Sequence, residues 1–447
     1  MAKISFSDYL YLWRYSLAKK GALSRYKEAL DFQQLSADEM EHRQWLKTKR
    51  ILDLAYDKTI WYHDTFKAVG LHPNDISKPE YYSQVPVLHR EDIIHHFDKF
   101  VVKGTKASQL NYITTGGSSG TPLKLGVDKN RVREIQKWQM FHWWHTPLNA
   151  NMASAYRGLP VKGLKKLVLA AVNWPQQVVR LDATDLTEEK IKAFIAHYKR
   201  VQPKLFHGYV GAVDAIADYI IAHNISFSFT PNAIWLTAAP VTKIQETKIS
   251  KAFNNAPICD QYGCSEMYFI AAESPAKNGL HVFSDTVKLE VVDNDNQPLP
   301  NGKVGKFVLT NLDEMRFPLI RYANGDQGRY LDNTNDTGLN LPRIDKVKGR
   351  LSDNLVLRDG TLLSGEYLTT IFDDYTDYVK QFQIIQNKKG DIILNVCLFK
   401  DGDFDVLKQF ISKEFDKRIE GKAHFEMRLV PEIQPVNGKL KFIIKED

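Results

Sequence analysis

The sequence predicts an α/β protein: a large N-terminal domain of mostly parallel sheets flanked by helices, carrying an antiparallel subdomain, followed by a small α+β C-terminal domain. Three observations support this. Short buried-strand patterns alternate with helical ones from about residue 165, as in a parallel sheet covered on both faces. Near residue 285 the texture changes to paired strands around a Pro/Asn/Gly turn, and beyond KVKGRLSDN a smaller unit of mixed elements follows. At 447 residues the chain also exceeds one ordinary core, so two or three domains are expected.

Taken in order, residues 38–69 read as helix, with Leu46, Ile51, Leu52, Leu54, Ala55 and Ile60 on its apolar side. LVLAAVNW reads as a buried strand, and PKLFHGYVGAVDAIADYIIAHNI as strand, turn and helix. AIWLTAAP and PICDQYG are further short strands, with the helical TKIQETKISKAF between them. TVKLEVVD and KVGKFVLTNL form the antiparallel piece. In the last unit QFQIIQNKKGDIILNVCLF is a hairpin turning at Lys388 to Gly390, FDVLKQFISKEFDKRI a helix and HFEMRLV a strand. The domain boundary is placed near Ser352, giving domains of residues 1–351 and 352–447.

Composition excludes several classes. The 43% hydrophobic and 25% charged residues are those of a globular protein. Cys259, Cys264 and Cys397 have no paired ligand spacing, which argues against structural zinc and fits a reducing compartment. No apolar run approaches the ~20 residues of a membrane-spanning helix, and the N-terminus lacks a signal-peptide pattern, so the expected location is the cytoplasm. The formal charge is +7. The basic clusters at Lys19, Lys20, Arg25 and Lys27, and at Lys47, Lys49 and Arg50, read as solvated helix faces. The aromatic-basic start (Phe6, Tyr9, Tyr11, Trp13, Arg14) is expected to pack on the domain in preference to a membrane surface. There is no nucleic-acid motif.

Five stretches carry chemistry. TTGGSSGTPLKL holds three glycines and five hydroxyl side chains. Its amides and hydroxyls can donate to phosphate oxygens, although no Lys-Ser/Thr follows as in a P-loop, and alone it reads more readily as a plain surface loop. DQYGCSEM follows a buried strand, where open α/β sheets bind ligands. Tyr262 offers a stacking ring, Gly263 a tight turn, Ser265 a hydroxyl and Glu266 an oxygen for a hard cation such as magnesium, or the stretch is an ordinary strand exit. In PLIRYANGDQGRY, Asp326 can accept ribose hydroxyls or simply stand in a turn. Arg350 of KGRLSDN could reach a phosphate or belong to a charged linker. Lys439 of PVNGKLKF carries almost no signal by itself. Together the five supply the parts of a site for MgATP.

Their order and spacing resemble the adenylate-forming (acyl-activating) superfamily over nearly all the chain beyond residue 40. The likeness is greatest to the phenylacetate–CoA ligase group, in its branch associated with capsular polysaccharide biosynthesis. The resemblance implies that Thr115, Gly117, Ser118, Ser119 and Gly120, with Thr121 beside them, clasp the β- and γ-phosphates of ATP. It implies that Tyr262 stacks on adenine, Asp260 accepts from the exocyclic amine and Gly263 shapes the turn. Ser265 would touch the α-phosphate, Glu266 would hold magnesium, Asp326 would bind ribose with Arg350 close by, and Lys439 would be the catalytic lysine of a mobile C-terminal domain hinged at Ser352. The implied reaction activates a small-molecule carboxylic acid as its acyl-adenylate. The acyl group then passes to coenzyme A, a carrier-protein thiol, or an amine or hydroxyl of a sugar.

Three positions depart from the family pattern: Thr121 where many relatives have lysine (the nearest is Lys124), AAP at Ala238 to Pro240, and Ser352 at the hinge. The acyl pocket is expected near His207, Gly208 and Tyr209. The aromatics of KWQMFHWWHTPL (Trp138, Phe141, Trp143, Trp144) are expected mostly in the core. An aryl or acyl-CoA ligase of phenylacetate type, and a catalytically inactive nucleotide-binding scaffold, are the alternatives.

Overall fold

The computed structural model describes residues 4–115, 123–156, 163–183, 185–239, 241–332, 338–347, 355–359, 362–363, 368, 371–372, 378–399, 403–419, 421–434 and 442–446. The chain divides into two compact units. One comprises residues 1–149, 172–174 and 261–347, and the other residues 150–171, 175–260 and 348–447. The expected boundary at Ser352 falls outside the described residues.

In the first unit, the single helix expected over 38–69 is two, Ala37–Lys58 and Ile60–Ala68. Buried Thr59 breaks it. Its backbone is extended, its hydroxyl donates to the Ala55 carbonyl at 2.7 Å, and the same oxygen accepts from the Tyr62 amide at 3.3 Å. That bond restarts the helix as an N-cap. Ile51, Leu52 and Ala55 are buried, whereas Leu46 and Ile60 are exposed. These helices cover an antiparallel sheet of Val287–Val292, Gly305–Asn311 and Tyr322–Gly328, and one core joins Ile51, Phe66, Phe100, Leu289, Phe307 and Leu309. A separate hairpin pairs Leu110–Thr115 with Leu123–Asp128. Trp138, Phe141, Trp143 and Trp144 of the aromatic segment are buried as expected; Trp143 stacks on Phe283 at 5.3 Å and its ring nitrogen donates to Gln33.

The second unit holds five parallel strand segments in the order Val178–Asp182, Met152–Tyr156, Leu205–Tyr209, Ala233–Thr237, then residues 258–260. The apolar runs of Leu205–Tyr209 and Ala233–Thr237 are buried on both faces, as central parallel strands under helices must be, whereas the outer strand Val178–Asp182 exposes Arg180 and Asp182. Helices Glu188–Val201 and Val210–Ala222 share that core through Ile191, Phe194, Val213 and Ile216. The strand expected at LVLAAVNW is instead part of the helix Leu164–Asn173. A continuous apolar run does not distinguish the two by period, and here Leu167 and Val168 are exposed, which a buried strand does not permit. The C-terminal region forms a four-stranded sheet ordered Phe425–Leu429, Ile392–Leu398, Val379–Gln386, Ile443–Lys445. Helix Phe404–Ile419 packs on it through Ile411 and Phe415. No described helix is long and apolar enough to cross a membrane.

Candidate active site

The strand Ile258–Cys264 continues past the parallel ladder, and its residues 261–264 pair antiparallel with Tyr268–Ala272. The turn between them presents Ser265, exposed, and Glu266, half-buried. Gly263 makes this turn possible. The ladder slips between Tyr262 and Gly263, and a Cβ at Gly263 would lie 2.2 Å from the Tyr268 carbonyl oxygen. Any side chain there displaces backbone. Tyr268 itself sits at φ +73°, an uncommon conformation for a bulky residue, with the Arg133 guanidinium 4.3 Å from its ring centroid.

A neighbouring strand, Tyr322–Gly328, fixes the groups this turn displays. Tyr322, Asn324 and Asp326 stand along it, the last two within an irregularity of its pairing with Gly305–Asn311. The Tyr322 hydroxyl donates to Glu266 Oε1 at 2.9 Å. Asn324 Nδ2 donates to the Tyr262 hydroxyl at 2.6 Å and to Asp326 Oδ2 at 2.7 Å, while the Tyr262 hydroxyl donates to the same Oδ2 at 2.6 Å. Gly325, at φ +86°, turns the backbone between Asn324 and Asp326. Burial, then the charge of Asp326, hold the Tyr262 phenol far above its ordinary range. Burial and Glu266 do the same for Tyr322. Both therefore remain neutral donors that fix the carboxylates. Burial and Glu266 also raise the Cys264 thiol well above its usual range, so Cys264 is not a thiolate nucleophile.

Beside Ser265 and Glu266 opens a cleft also lined by Val127, Arg131, Arg133, Asn311 and Glu314. The Arg131 side chain is 8% exposed, yet among the described residues its only ion-pair partner is Glu314, at 3.9 Å, beyond hydrogen-bond reach. The oxygens of Glu314 are already taken by the amides of Asp128 and Arg316. The buried Nε atoms of Arg131 and Arg133 have no hydrogen-bond partner. Two cations with unused donors thus face a cleft that also holds the proposed metal ligand.

The structure brings Tyr262, Gly263, Ser265, Glu266 and Asp326 together. Asp260 ends the parallel ladder of the second unit opposite Leu236, half-buried. Thr115 closes the hairpin ladder against Leu123; Gly117, Ser118, Ser119, Gly120 and Thr121, together with Arg350 and Lys439, lie outside the described residues. Lys124 is held over the rings of Tyr112 and Phe97, at 4.5 and 4.6 Å. Near the expected acyl pocket, the buried His207 ring is hydrogen-bonded through Nε2 to the Tyr156 hydroxyl, and the Tyr209 ring lies 4.9 Å from that of Tyr156. Gly208 is a packing requirement, since a Cβ there would lie 2.7 Å from Val213. Ala238, in the departing AAP step, adopts φ +73°, where glycine is the easier residue. The sequence reading missed Tyr322, Asn324, Arg131 and Arg133. The alternation Tyr-x-Asn-x-Asp and the close pair RVR directly after a hairpin strand were the available signals.

Among the described residues no three carboxylate, histidine or cysteine groups gather to hold a metal ion. One carboxylate, Glu266, suits magnesium, which keeps waters and takes most other oxygens from substrate phosphates.

The fold is that of the adenylate-forming acyl-CoA ligases. The structure superposes on 2-hydroxyisobutyryl-CoA ligase, in its postadenylation state with R3-HIB-AMP, with a TM-score of 0.78, 17% identity, and 93% and 91% of the two chains covered. In sequence, residues 355–446 match the CapK C-terminal domain. The chain is homologous to protein CapK of Staphylococcus aureus, 25% identical over 372 residues, covering 81% of this chain and 80% of that one. It is also homologous to the phenylacetate-coenzyme A ligase of Thermus thermophilus, 20% identical over 382 residues and 81% of each chain.

Proposed function

We propose that the protein is an ATP-dependent, AMP-forming ligase that activates a carboxylic acid as an acyl-adenylate and passes the acyl group to an acceptor. The observation that carries this is that one strand, Tyr322–Gly328, holds Glu266 through Tyr322 and holds Tyr262 and Asp326 through Asn324, on a fold shared with ligases. In this reading Asp326 accepts the ribose hydroxyls, the Tyr262 ring lies against adenine and the exposed Ser265 meets the α-phosphate. Glu266 is the residue that would hold magnesium, whose charge when bound offsets that of the phosphates. An ionised carboxylate needs no general base. One of its oxygens attacks the α-phosphorus, the bond to the pyrophosphate oxygen breaks, and that oxygen leaves with the electron pair. Positioning and charge neutralisation do the catalysis, with Lys439 the proposed cation at the α-phosphate. A thiol, amine or hydroxyl then attacks the acyl carbon, AMP leaves and the acceptor proton passes to solvent.

Arg131, ion-paired with Glu314 but without a side-chain hydrogen bond among the described residues, and Arg133 add positive charge beside Glu266, and we assign them to the anionic ligand of this site, a charge that Thr121 does not supply. Homology to CapK supports an acid or acceptor from cell-surface polysaccharide synthesis, and homology to phenylacetate–CoA ligases supports coenzyme A as acceptor. ATP–pyrophosphate exchange across aryl, fatty, amino, hydroxy and uronic acids tests the reading. Exchange that depends on one acid should fall about 10²-fold or more in Glu266→Gln, as for loss of a group acting on transition-state charge, and disappear in Lys439→Ala. ATP binding with no exchange for any acid would instead favour the inactive scaffold.

A further inference from the structure

The N-terminal helix Phe6–Ala18 has two apolar sides. One packs inward: Tyr11, Leu12 and Tyr15 are buried, with Tyr11 and Tyr15 edge-on to Trp138 at 6.2 and 5.0 Å. The other is bare. Phe6 is 82% exposed, Leu17 73%, Trp13 51% and Leu10 48%. At about 100° per residue these four lie within roughly 60° of one another, opposite the buried set. Trp174, 65% exposed, extends the stripe, with the Arg14 guanidinium 5.6 Å from its ring centroid and Arg14 Nε donating to the Val172 carbonyl. The expectation that this segment packs on the domain therefore holds for only one of its faces. Single exposed apolar residues are ordinary, but five large ones in one stripe mark a contact surface.

Charge indicates what covers it. The acids nearby are engaged within the protein: Asp8 accepts from the Ser5 hydroxyl and the Leu148 amide, while Glu28 and Asp313 both bind Arg25. The cations are not matched in this way. Among the described residues, Arg14 and Lys19 donate only to the backbone carbonyls of Val172 and Lys129. Lys27 reaches over the Tyr9 ring at 5.5 Å, and exposed Lys20 follows the helix directly. An apolar stripe with tryptophans, bordered by cations that lack carboxylate partners, suits the headgroup–acyl boundary of an anionic membrane. There the rings and aliphatic chains sink in while lysine and arginine stay at the phosphates. A protein partner would need acidic groups around an apolar groove, whereas an anionic lipid surface supplies both together.

We propose that the outer face of helix 6–18, with Trp174, docks the protein peripherally on anionic phospholipid. This does not depend on the ligase reading. The test is co-sedimentation of the full chain with phosphatidylcholine vesicles and with vesicles containing phosphatidylglycerol, alongside light scattering for oligomeric state. Binding should require the anionic lipid, weaken with salt, and fall at least tenfold in Phe6→Glu/Leu17→Glu. Lys20→Glu/Lys27→Glu should weaken binding with no change in the apolar stripe. Because all four side chains point outward, each variant should melt at the temperature of the parent, which separates lost docking from lost folding. No binding to anionic vesicles overturns the proposal, as does binding indifferent to both variants. So does a dimer that the first variant dissolves, which would make the stripe a contact between copies of this chain.

Discussion

Two arginines in the first unit, Arg321 and Arg131, have side chains withdrawn from solvent but differ in how their donors are used. Arg321 is 1% exposed and its donors are spent inside the protein: Nε on Glu290 at 3.2 Å, Nη1 on the carbonyls of Ser83 and Val85, Nη2 on that of Asn296. The Arg131 side chain is 8% exposed, yet among the described residues it makes no hydrogen bond, and Glu314, its ion-pair partner there, stands 3.9 Å away. Burying a charge without hydrogen bonds is costly, and that cost is the ground for the ligand role proposed for Arg131. Satisfaction of donors, more than depth, separates the two roles.

The comparison can be broken most directly at Arg321. Arg321→Met should destabilise the protein by about 3–5 kcal/mol, the usual cost of stranding a buried partner, because Glu290 and three carbonyls lose their donor; a denaturant melt reads this.

Asp285 sharpens the contrast as a buried carboxylate outside any site. Burial raises its carboxyl from an ordinary 3.8 to about 6, against the opposing charge of Lys47, and among the described residues its Oδ1 has no hydrogen-bond partner. Since the folded state holds this proton more tightly than the unfolded one, ionisation costs stability above pH 6. That cost is relieved as the pH falls through about 6 towards 3.8. Asp285→Asn should therefore raise the melting temperature at pH 7.5, by an amount worth about 2–3 kcal/mol from the size of the shift. The gain should shrink towards zero near pH 4. An equal gain at both values would exclude titration of this group as the cause.

The smallest effect on stability is expected at Arg131 itself. Arg131→Gln should cost less than Arg321→Met, because no hydrogen bond is lost and only the charge that offsets the burial of Glu314 is removed. It should raise the pyrophosphate concentration needed for half-maximal exchange about tenfold. A large loss of stability with unaltered exchange would return Arg131 to the architectural class.

Local pattern made much of the chain legible. FDVLKQFISKEFDKRI is helix from Phe404 to Ile419, and PKLFHGY gives the strand Leu205–Tyr209. In both, period and flanking residues agree with what is buried. LVLAAVNW misled because a short apolar run has no period to tell strand from helix. Met152–Tyr156 and Val178–Asp182 were not anticipated, being five-residue strands whose pairing comes entirely from distant chain. In the site, Tyr262, Gly263, Ser265, Glu266 and Asp326 stood out by residue type and order. Tyr322 and Asn324 did not, because their role exists only once two strands are brought together.

Residue type and short spacing were enough for the class of fold and the order of the chemical motifs. Contacts between distant segments settled the rest. They required glycine at 263 by placing the Tyr268 carbonyl 2.2 Å from where a Cβ would be, and they satisfied the donors of Arg321 while leaving Arg131 with an ion pair and, among the described residues, no side-chain hydrogen bond. They also split the aromatic start of the chain into a packed face and a bare one. Each outcome depends on which atoms of distant segments arrive within a few ångströms, and no local pattern encodes that.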